Sequence, residues 1–341
     1  MINTIYVCDS FYQIIVASCI QKQFMEESVI ILTDHIPEMY EVYLRMRVHS
    51  SLFRSVFYIK TKAYNQSKFT DAEIDQDITN FLKENKLTRC KNLRIGTLER
   101  YMRRLFKVLK VDFGQENICG GIIEDGFATY SFYGDVINEY KYKDDLKEIY
   151  IYDSLLLAWK PDSKIIEIKR CFFKEAKFVE ELNNIFGYYD LEDEYREKYI
   201  VLASGYEEIA QLNNLKEILM DLEKIVGKNN ILIKMHPRVK NNIYSEYGYK
   251  TNKNISVPWE IIALNQDLSE KVVISTYSGS LYTPRILFDK KMTGISIIKF
   301  SDQEDPFNLC DYYEDYVLAN YSECFYMPDD RNAYKELLVI S

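Results

Sequence analysis

At 341 residues the chain is too long for one simple core, and its 47% hydrophobic and 14% aromatic content excludes a disordered polymer and points to two packed domains. A formal net charge of -9 excludes nucleic acid as the main partner, because a phosphate backbone calls for a net basic face. Seven cysteines at positions 8, 19, 90, 119, 171, 310 and 324 make no C-x-x-C pair. That excludes a zinc ribbon or a secreted disulfide framework and fits reduced thiols in the cytoplasm.

No apolar run approaches the ~20 residues of a membrane span. The chain enters a strand-like run within four residues of its start, without a basic flank and cleavage site, so no signal peptide is expected. The 29 tyrosines fit either a compositional bias or rings that stack on sugars.

Thr4-Ile5-Tyr6-Val7-Cys8 reads as a strand, and Phe11 to Gln23 as a helix with apolar residues at Ile14, Ile15, Ala17 and Ile20. Asp9 and Ser10 lie at the junction. They can cap the helix, or present polar groups at the carboxyl end of the first strand, and the two roles are compatible. Val29 to Thr33 and Val56 to Ile59 read as the next strands. His35 and His49 sit in surface-like contexts, and the Asp75-Gln76-Asp77 triplet lies in a polar helical stretch, so no metal site is expected.

Leu93 to Gly96 leads into a helix from Leu98 to Val111 that carries Arg100, Arg103, Arg104, Lys107 and Lys110 at helical spacing. This is either a solvated amphipathic face or a contact for anionic lipid or an acidic glycan. The run Gly120-Gly121-Ile122-Ile123 then ends in Glu124-Asp125-Gly126. Adjacent carboxylates on a strand point opposite ways, so one should face a ligand and could serve as general base; the bland reading is an Asp-Gly turn.

The N-terminal domain is expected over residues 1–150, with a charged, Tyr-rich helical linker or insertion over 151–198. A second α/β domain, 199–341, begins with the strand Tyr199 to Ala203 and continues through a helix from Glu207 to Val226. Its further strands are expected at Ile231 to Ile233, Val272 to Ser275 and Met292 to Ile298. Strand–helix alternation in both halves predicts parallel sheets with helices on both faces.

Four clusters in this half carry polar chemistry. Ser204-Gly205-Tyr206-Glu207-Glu208 is either a capped helix start or the source of an alternative base, Glu207 or Glu208. Lys234-Met235-His236-Pro237-Arg238 follows an apolar strand, where open α/β sheets bind ligands, and offers positive charge and a titratable donor to a leaving phosphate. Glu260 can accept both hydroxyls of a ribose or simply complement a helix start. Thr276, Ser278, Gly279 and Ser280 form a hydroxyl-rich turn after a strand that can hold a phosphate or cap a helix; it is not a P-loop, because no Gly-Lys-Ser/Thr ends it.

The ordered set Glu124-Asp125-Gly126, His236-Pro237-Arg238 and Ser278-Gly279 resembles glycosyltransferase family 52, the bacterial lipooligosaccharide sialyltransferases. Ile5 to Gln13 is similar to that family's first strand and helix, Leu98-Glu99-Arg100 to its Ser-Leu-Glu helix start, and Glu260 to its ribose-binding Glu. The resemblance implies two Rossmann-like doubly wound domains facing a central cleft (the GT-B type), CMP-sialic acid as donor substrate with no separate cofactor, and metal-independent inversion. It implies His236 as acid or hydrogen-bond donor to the departing phosphate. Lys234, Pro237, Glu260, Thr276, Ser278, Gly279 and Ser280 would hold the nucleotide, and Asp9, Ser10, Glu124, Gly126 and Arg238 the substrate. The family's base is an Asp in a Gly-Ser-Pro-Asp type loop, and this chain has Ser204-Gly205-Tyr206-Glu207 there. The base is therefore either Glu207 or Asp125. The expected activity is a cytoplasmic sialyltransferase of bacterial lipooligosaccharide or capsule synthesis, acting on a galactoside-type acceptor, with a homodimer and peripheral contact at the inner membrane face among its expected associations. The alternatives are another donor such as UDP-glucose, or a non-catalytic nucleotide-sugar-binding protein.

Overall fold

The computed structural model describes residues 2–65, 68–189, 194–203, 212–237, 241–276, 278–301, 305 and 308–340. The chain divides into two compact units, Met1–Ser154 with Trp159–Phe186, and Leu155–Ala158 with Gly187–Ser341.

Among the described residues the first unit holds a seven-stranded sheet, ordered β3-β2-β1-β4-β5-β6-β7 and parallel throughout. Its strands are β1 (Thr4–Cys8), β2 (Ser28–Thr33), β3 (Ser55–Ile59), β4 (Asn92–Ile95), β5 (Cys119–Ile123), β6 (Leu146–Ile151) and β7 (Lys164–Glu167). The central strands are apolar without alternation because helices cover both faces; all of β1 and β2 is buried. The connecting helices are α1 (Phe11–Phe24), α2 (Met39–His49), α3 (Asp71–Glu84), α4 (Arg100–Lys107), α5 (Phe127–Ser131), α6 (Tyr133–Asn138) and α7 (Ala176–Phe186). α3 shows the usual determinants: a Thr70–Glu73 capping box starts it, and Ile74, Ile78 and Leu82 give it one buried stripe. Chain order reverses between β1 and β4, so the switch point of this unit lies at their carboxyl ends.

Residues 151–198, expected as a helical linker or insertion, contain β7 and α7, both in the first unit. α7 is tied to α2 and the turn after it: Arg45 Nε donates to the Ile185 carbonyl at 2.8 Å, and Glu181 accepts from Ser50 Oγ at 3.0 Å and from Ser51 N at 2.8 Å.

The second unit has a six-stranded parallel sheet ordered β10-β9-β8-β11-β12-β13. These are β8 (Tyr199–Leu202), β9 (Ile231–Lys234), β10 (Lys250–Thr251), β11 (Val272–Ser275), β12 (Thr293–Ser296) and β13 (Phe325–Tyr326). The helices are α8 (Leu212–Val226), α9 (Ile243–Glu246), α10 (Trp259–Asn265), α11 (Thr283–Phe288), α12 (Leu309–Tyr312), α13 (Ala319–Tyr321) and α14 (Arg331–Ile340). α14 closes over α8: Tyr334 and Leu338 join Ile218, Leu222, Ile233 and Ile274 in one core, and Arg331 donates to Asp221 at 2.6 Å. Here the order reverses between β8 and β11.

The fold class expected from the sequence, two Rossmann-like doubly wound α/β domains, is the one observed. Among the described residues no helix is long and apolar enough to cross a membrane.

Candidate functional site

In the first unit the expected polar residues gather at the switch point. β1 ends at Cys8, and Asp9 and Ser10 follow it into α1. Ser10 is the N-cap: its Oγ accepts the Gln13 N–H at 3.2 Å and donates to Asp125 Oδ1 at 3.3 Å. One hydroxyl therefore caps the helix and reaches the acidic turn after β5. Asp9 is buried, accepts from Thr97 Oγ1 at 2.8 Å, and its backbone N–H donates to Gln13 Oε1 at 2.8 Å.

The Glu124–Asp125 pair divides as strand geometry requires. Glu124 turns into the protein, 1% exposed, where it accepts from the Tyr12 and Tyr130 hydroxyls and from the Tyr152 N–H at 2.8 Å. Burial pushes its carboxyl up to about 7 against those three donors. Asp125 faces the other way, half-buried, toward Ser10 and Asp9. Burial first, and then the Asp9 charge, push it up to about 7, while Gln13 and Ser10 favour the ionised form. Asp9 is itself raised, by burial and then by Glu99. Gly126 turns the chain into α5 at φ 60°, ψ -142°, which a residue with a Cβ avoids.

In the second unit, Lys234 is the last residue of β9 and is buried. Its carbonyl accepts the Ala203 N–H at 2.9 Å, and the next N–H, of Met235, donates to the buried Asn252 Oδ1 at 2.7 Å, so the end of β9 is held on both sides. Burial pulls the Lys234 ammonium down to about 8, opposed by the charges of Glu260 and Glu194. His236 follows, half-buried, and Pro237 makes the turn. Glu260, in the first turn of α10, is buried and raised by that burial; its Oε1 accepts from Ser280 Oγ and Thr283 Oγ1, each at 3.3 Å.

The hydroxyl-rich turn follows β11. Ser275 Oγ donates to the Leu202 carbonyl at 3.3 Å, which ties β11 to β8 across the switch point. Thr276 is buried, and its carbonyl accepts from Ser296 Oγ at 2.7 Å. Ser278 caps a 3-10 turn over Gly279–Leu281, its Oγ accepting the Ser280 N–H at 3.2 Å, and Trp259 Nε1 clamps the Ser280 carbonyl at 2.9 Å. The turn packs onto β12 where Gly294 lacks a side chain; a Cβ there would stand 2.7 Å from the Leu281 carbonyl oxygen. Glu207, Glu208 and Arg238 lie outside the described residues.

Sequence reasoning missed Gln13, Thr97, Thr283, Asn252 and Gly294. Only Gln13 left a signal: Ser10-Phe11-Tyr12-Gln13 is the spacing of a capping box. The basic face of α4 and the turn after it is compensated inside the unit. Arg100 and Arg104 pair with Asp71 at 2.7 and 2.9 Å, and Lys107 with Asp75 and Asp112 at 3.0 and 2.7 Å. Lys110 pairs with Asp145 at 2.5 Å, and Arg103 donates to the Leu98 carbonyl and lies over the Tyr140 ring. Little uncompensated charge is left there for anionic lipid. Among the described residues no His, Cys, Asp and Glu cluster has the makings of a metal site.

No protein-family model matches this chain, and no curated protein sequence matches it. Among solved structures, its fold is similar to that of the UDP-N-acetylglucosamine 2-epimerase from Rickettsia bellii, at 15% identity over 87% of this chain and 79% of that one, with a TM-score of 0.51. A glycosyltransferase from Rickettsia africae aligns over 99% of this chain and 93% of its own at 10% identity, with a TM-score of 0.45, too low to carry weight. The epimerase likeness establishes the class of fold, a two-domain Rossmann-like protein of GT-B type, and nothing finer.

Proposed function

We propose that the protein is an inverting, metal-independent glycosyltransferase that moves sialic acid from CMP-sialic acid to a galactoside-type acceptor in bacterial surface-glycan synthesis. The observation that carries this reading is the polar chemistry gathered at the switch point of each unit. The first unit holds the carboxylates Asp9 and Asp125 with the Ser10 hydroxyl; the second holds Lys234, with Glu260 acting on it, and the hydroxyl-rich turn at Ser278. An acceptor hydroxyl needs a base, and a departing nucleotide phosphate needs positive charge and donors.

Asp125 takes the proton from the attacking hydroxyl. A base poised near neutral pH holds an abstracted proton better than an ordinary carboxylate and is still ionised in a large share of molecules. Lys234 and His236 meet the charge on the leaving phosphate, the Ser278 hydroxyl bonds its oxygens, and Glu260, held by the Ser280 and Thr283 hydroxyls, accepts from the ribose. Asp125 is preferred to Glu207 because its surroundings supply both the raised affinity and the orienting donors.

The test is a nucleotide comparison. CMP should raise the melting temperature more than UDP does, and Lys234→Met should abolish the difference. A larger shift with UDP would move the donor to a UDP-sugar; no shift with either would remove the nucleotide-sugar reading.

A further inference from the structure

Ser10 and Gln13 have the spacing of a capping box, yet only half of the box is made. Ser10 Oγ accepts the Gln13 N–H, but the Gln13 side chain does not return to the Ser10 amide; its Oε1 accepts the Asp9 N–H at 2.8 Å. A backbone N–H can only donate, so this bond fixes which end of the side-chain amide is oxygen and turns Nε2 the other way. Gln13 is fully buried, and among the described residues Nε2 has no hydrogen-bond partner. The amide fills the place of the missing Gly96 side chain; a Cβ at Gly96 would stand 2.0–2.4 Å from its atoms. A buried donor without a partner is costly, and such groups in native proteins call for an explanation.

The groups around Nε2 supply one. Both carboxylates of the switch point, Asp9 and Asp125, are stabilised as anions by the Gln13 side chain. The other charged or titratable groups facing them are Glu99 from the β4–α4 turn, Cys8 at the end of β1, Tyr133 of α6, and His35 beyond β2, which acts on Asp9. All but His35 are acids, and each oxygen acid nearby raises the cost of a second negative charge. Against them stand the Ser10 hydroxyl, which shares its lone pair with Gln13 and gives its hydrogen to Asp125, and the Gln13 amide.

We infer that Gln13 is the positioning residue of the Asp125 carboxylate: Asp9 and Gly96 clamp its amide so that the N–H2 group is kept for the ionised acids. Residues of one helix turn thus serve the base twice, through the cap hydroxyl and through the side-chain amide. The catalytic meaning rests on Asp125 being the base, but the ionisation itself can be read without activity.

The experiment is a carboxyl titration by NMR of the full chain labelled with 13C-carboxyl aspartate, the Asp125 signal being assigned by its loss in Asp125→Asn. In Gln13→Leu the Asp125 midpoint should rise by about one pH unit, the scale on which a neighbouring amide dipole shifts a carboxyl, because the N–H2 group near the ionised acids is lost. Gln13→Met removes the N–H2 group without adding a charge and should shift the midpoint about as far; its similar length keeps the test open if Gln13→Leu fails to fold. Gly96→Ala, which displaces the amide without altering it, should shift the midpoint in the same direction. An unchanged midpoint in folded Gln13→Met or Gln13→Leu would overturn the inference. Full turnover in Asp125→Asn would remove the base reading and leave the midpoint result standing.

Discussion

Ser10 Oγ stands 3.3 Å from Asp125 Oδ1 across 115 residues of sequence, and the same oxygen accepts the Gln13 N–H. The contact joins the end of β1 to the end of β5 and makes a helix cap part of the environment of an acid.

The rate of an enzyme using Asp125 as base should fall on acidification. The raised carboxyl, about 7, must be ionised to accept a proton, so kcat/KM should drop tenfold per unit below that value and level off above it. Asp125→Asn should lower kcat by about 10²–10⁴ while the fold stays intact. A pH–rate profile of the parent, with circular dichroism of the variant, checks both.

Stability should respond to pH through the same group. Its carboxyl binds a proton more tightly folded than unfolded, where it ionises near 4. A carboxyl raised by folding binds its proton in the native state while the unfolded chain has already released it. Its contribution is therefore greatest below about pH 4 and is lost as pH rises toward 7. Glu124, raised in the same way, adds to the slope. The melting-temperature advantage of Asp125→Asn over the parent should grow between about pH 4 and 7 and level off above, a window set by the ~4 and ~7 ionisations. Parallel melting curves at both values would contradict it.

Gly126→Ala should destabilise the protein by about 1–3 kcal/mol, because φ 60° with ψ -142° is open to glycine and strained for alanine. Urea unfolding measures the loss, and turnover should fall with it because the same turn aims Asp125.

The α8–α14 closure makes an electrostatic prediction away from the site. Asp221 is buried, and although burial alone raises its carboxyl, the bonds from Arg331 and Lys335 hold it below the ordinary range. Asp221→Asn should cost about 2 kcal/mol at pH 7. Because the folded carboxyl is depressed, the stabilisation is present above about pH 4 and is lost as pH falls through the depressed value, so variant and parent should converge in acid. Urea titrations at pH 7 and pH 3 check the sign.

Much of the fold was legible because its central strands are buried on both faces and therefore read as unbroken apolar runs, as in Ile5 to Cys8 and Val272 to Ile274. β7 was not: Lys164-Ile165-Ile166-Glu167 is an edge strand, largely exposed, and its charged ends read as linker. The polar clusters after β1, β5, β9 and β11 were visible as residue types at strand ends. Which of two neighbouring acids faces which way was not, because that is set by Tyr12 and Tyr152 closing around Glu124 from distant segments, together with Tyr130 of the helix that follows. The pairing of the α4 basic residues was hidden for the same reason, since Asp71 and Asp75 lie a whole helix earlier. Gln13 and Gly294 act through packing that only the folded chain reveals.

The central claim is tested most directly by CMP release from CMP-sialic acid with and without a galactoside acceptor panel, in the parent and in Asp125→Asn. Acceptor should stimulate release by the parent, and the variant should lose that release. Binding of CMP with no acceptor-stimulated release, or equal release in both proteins, would contradict it.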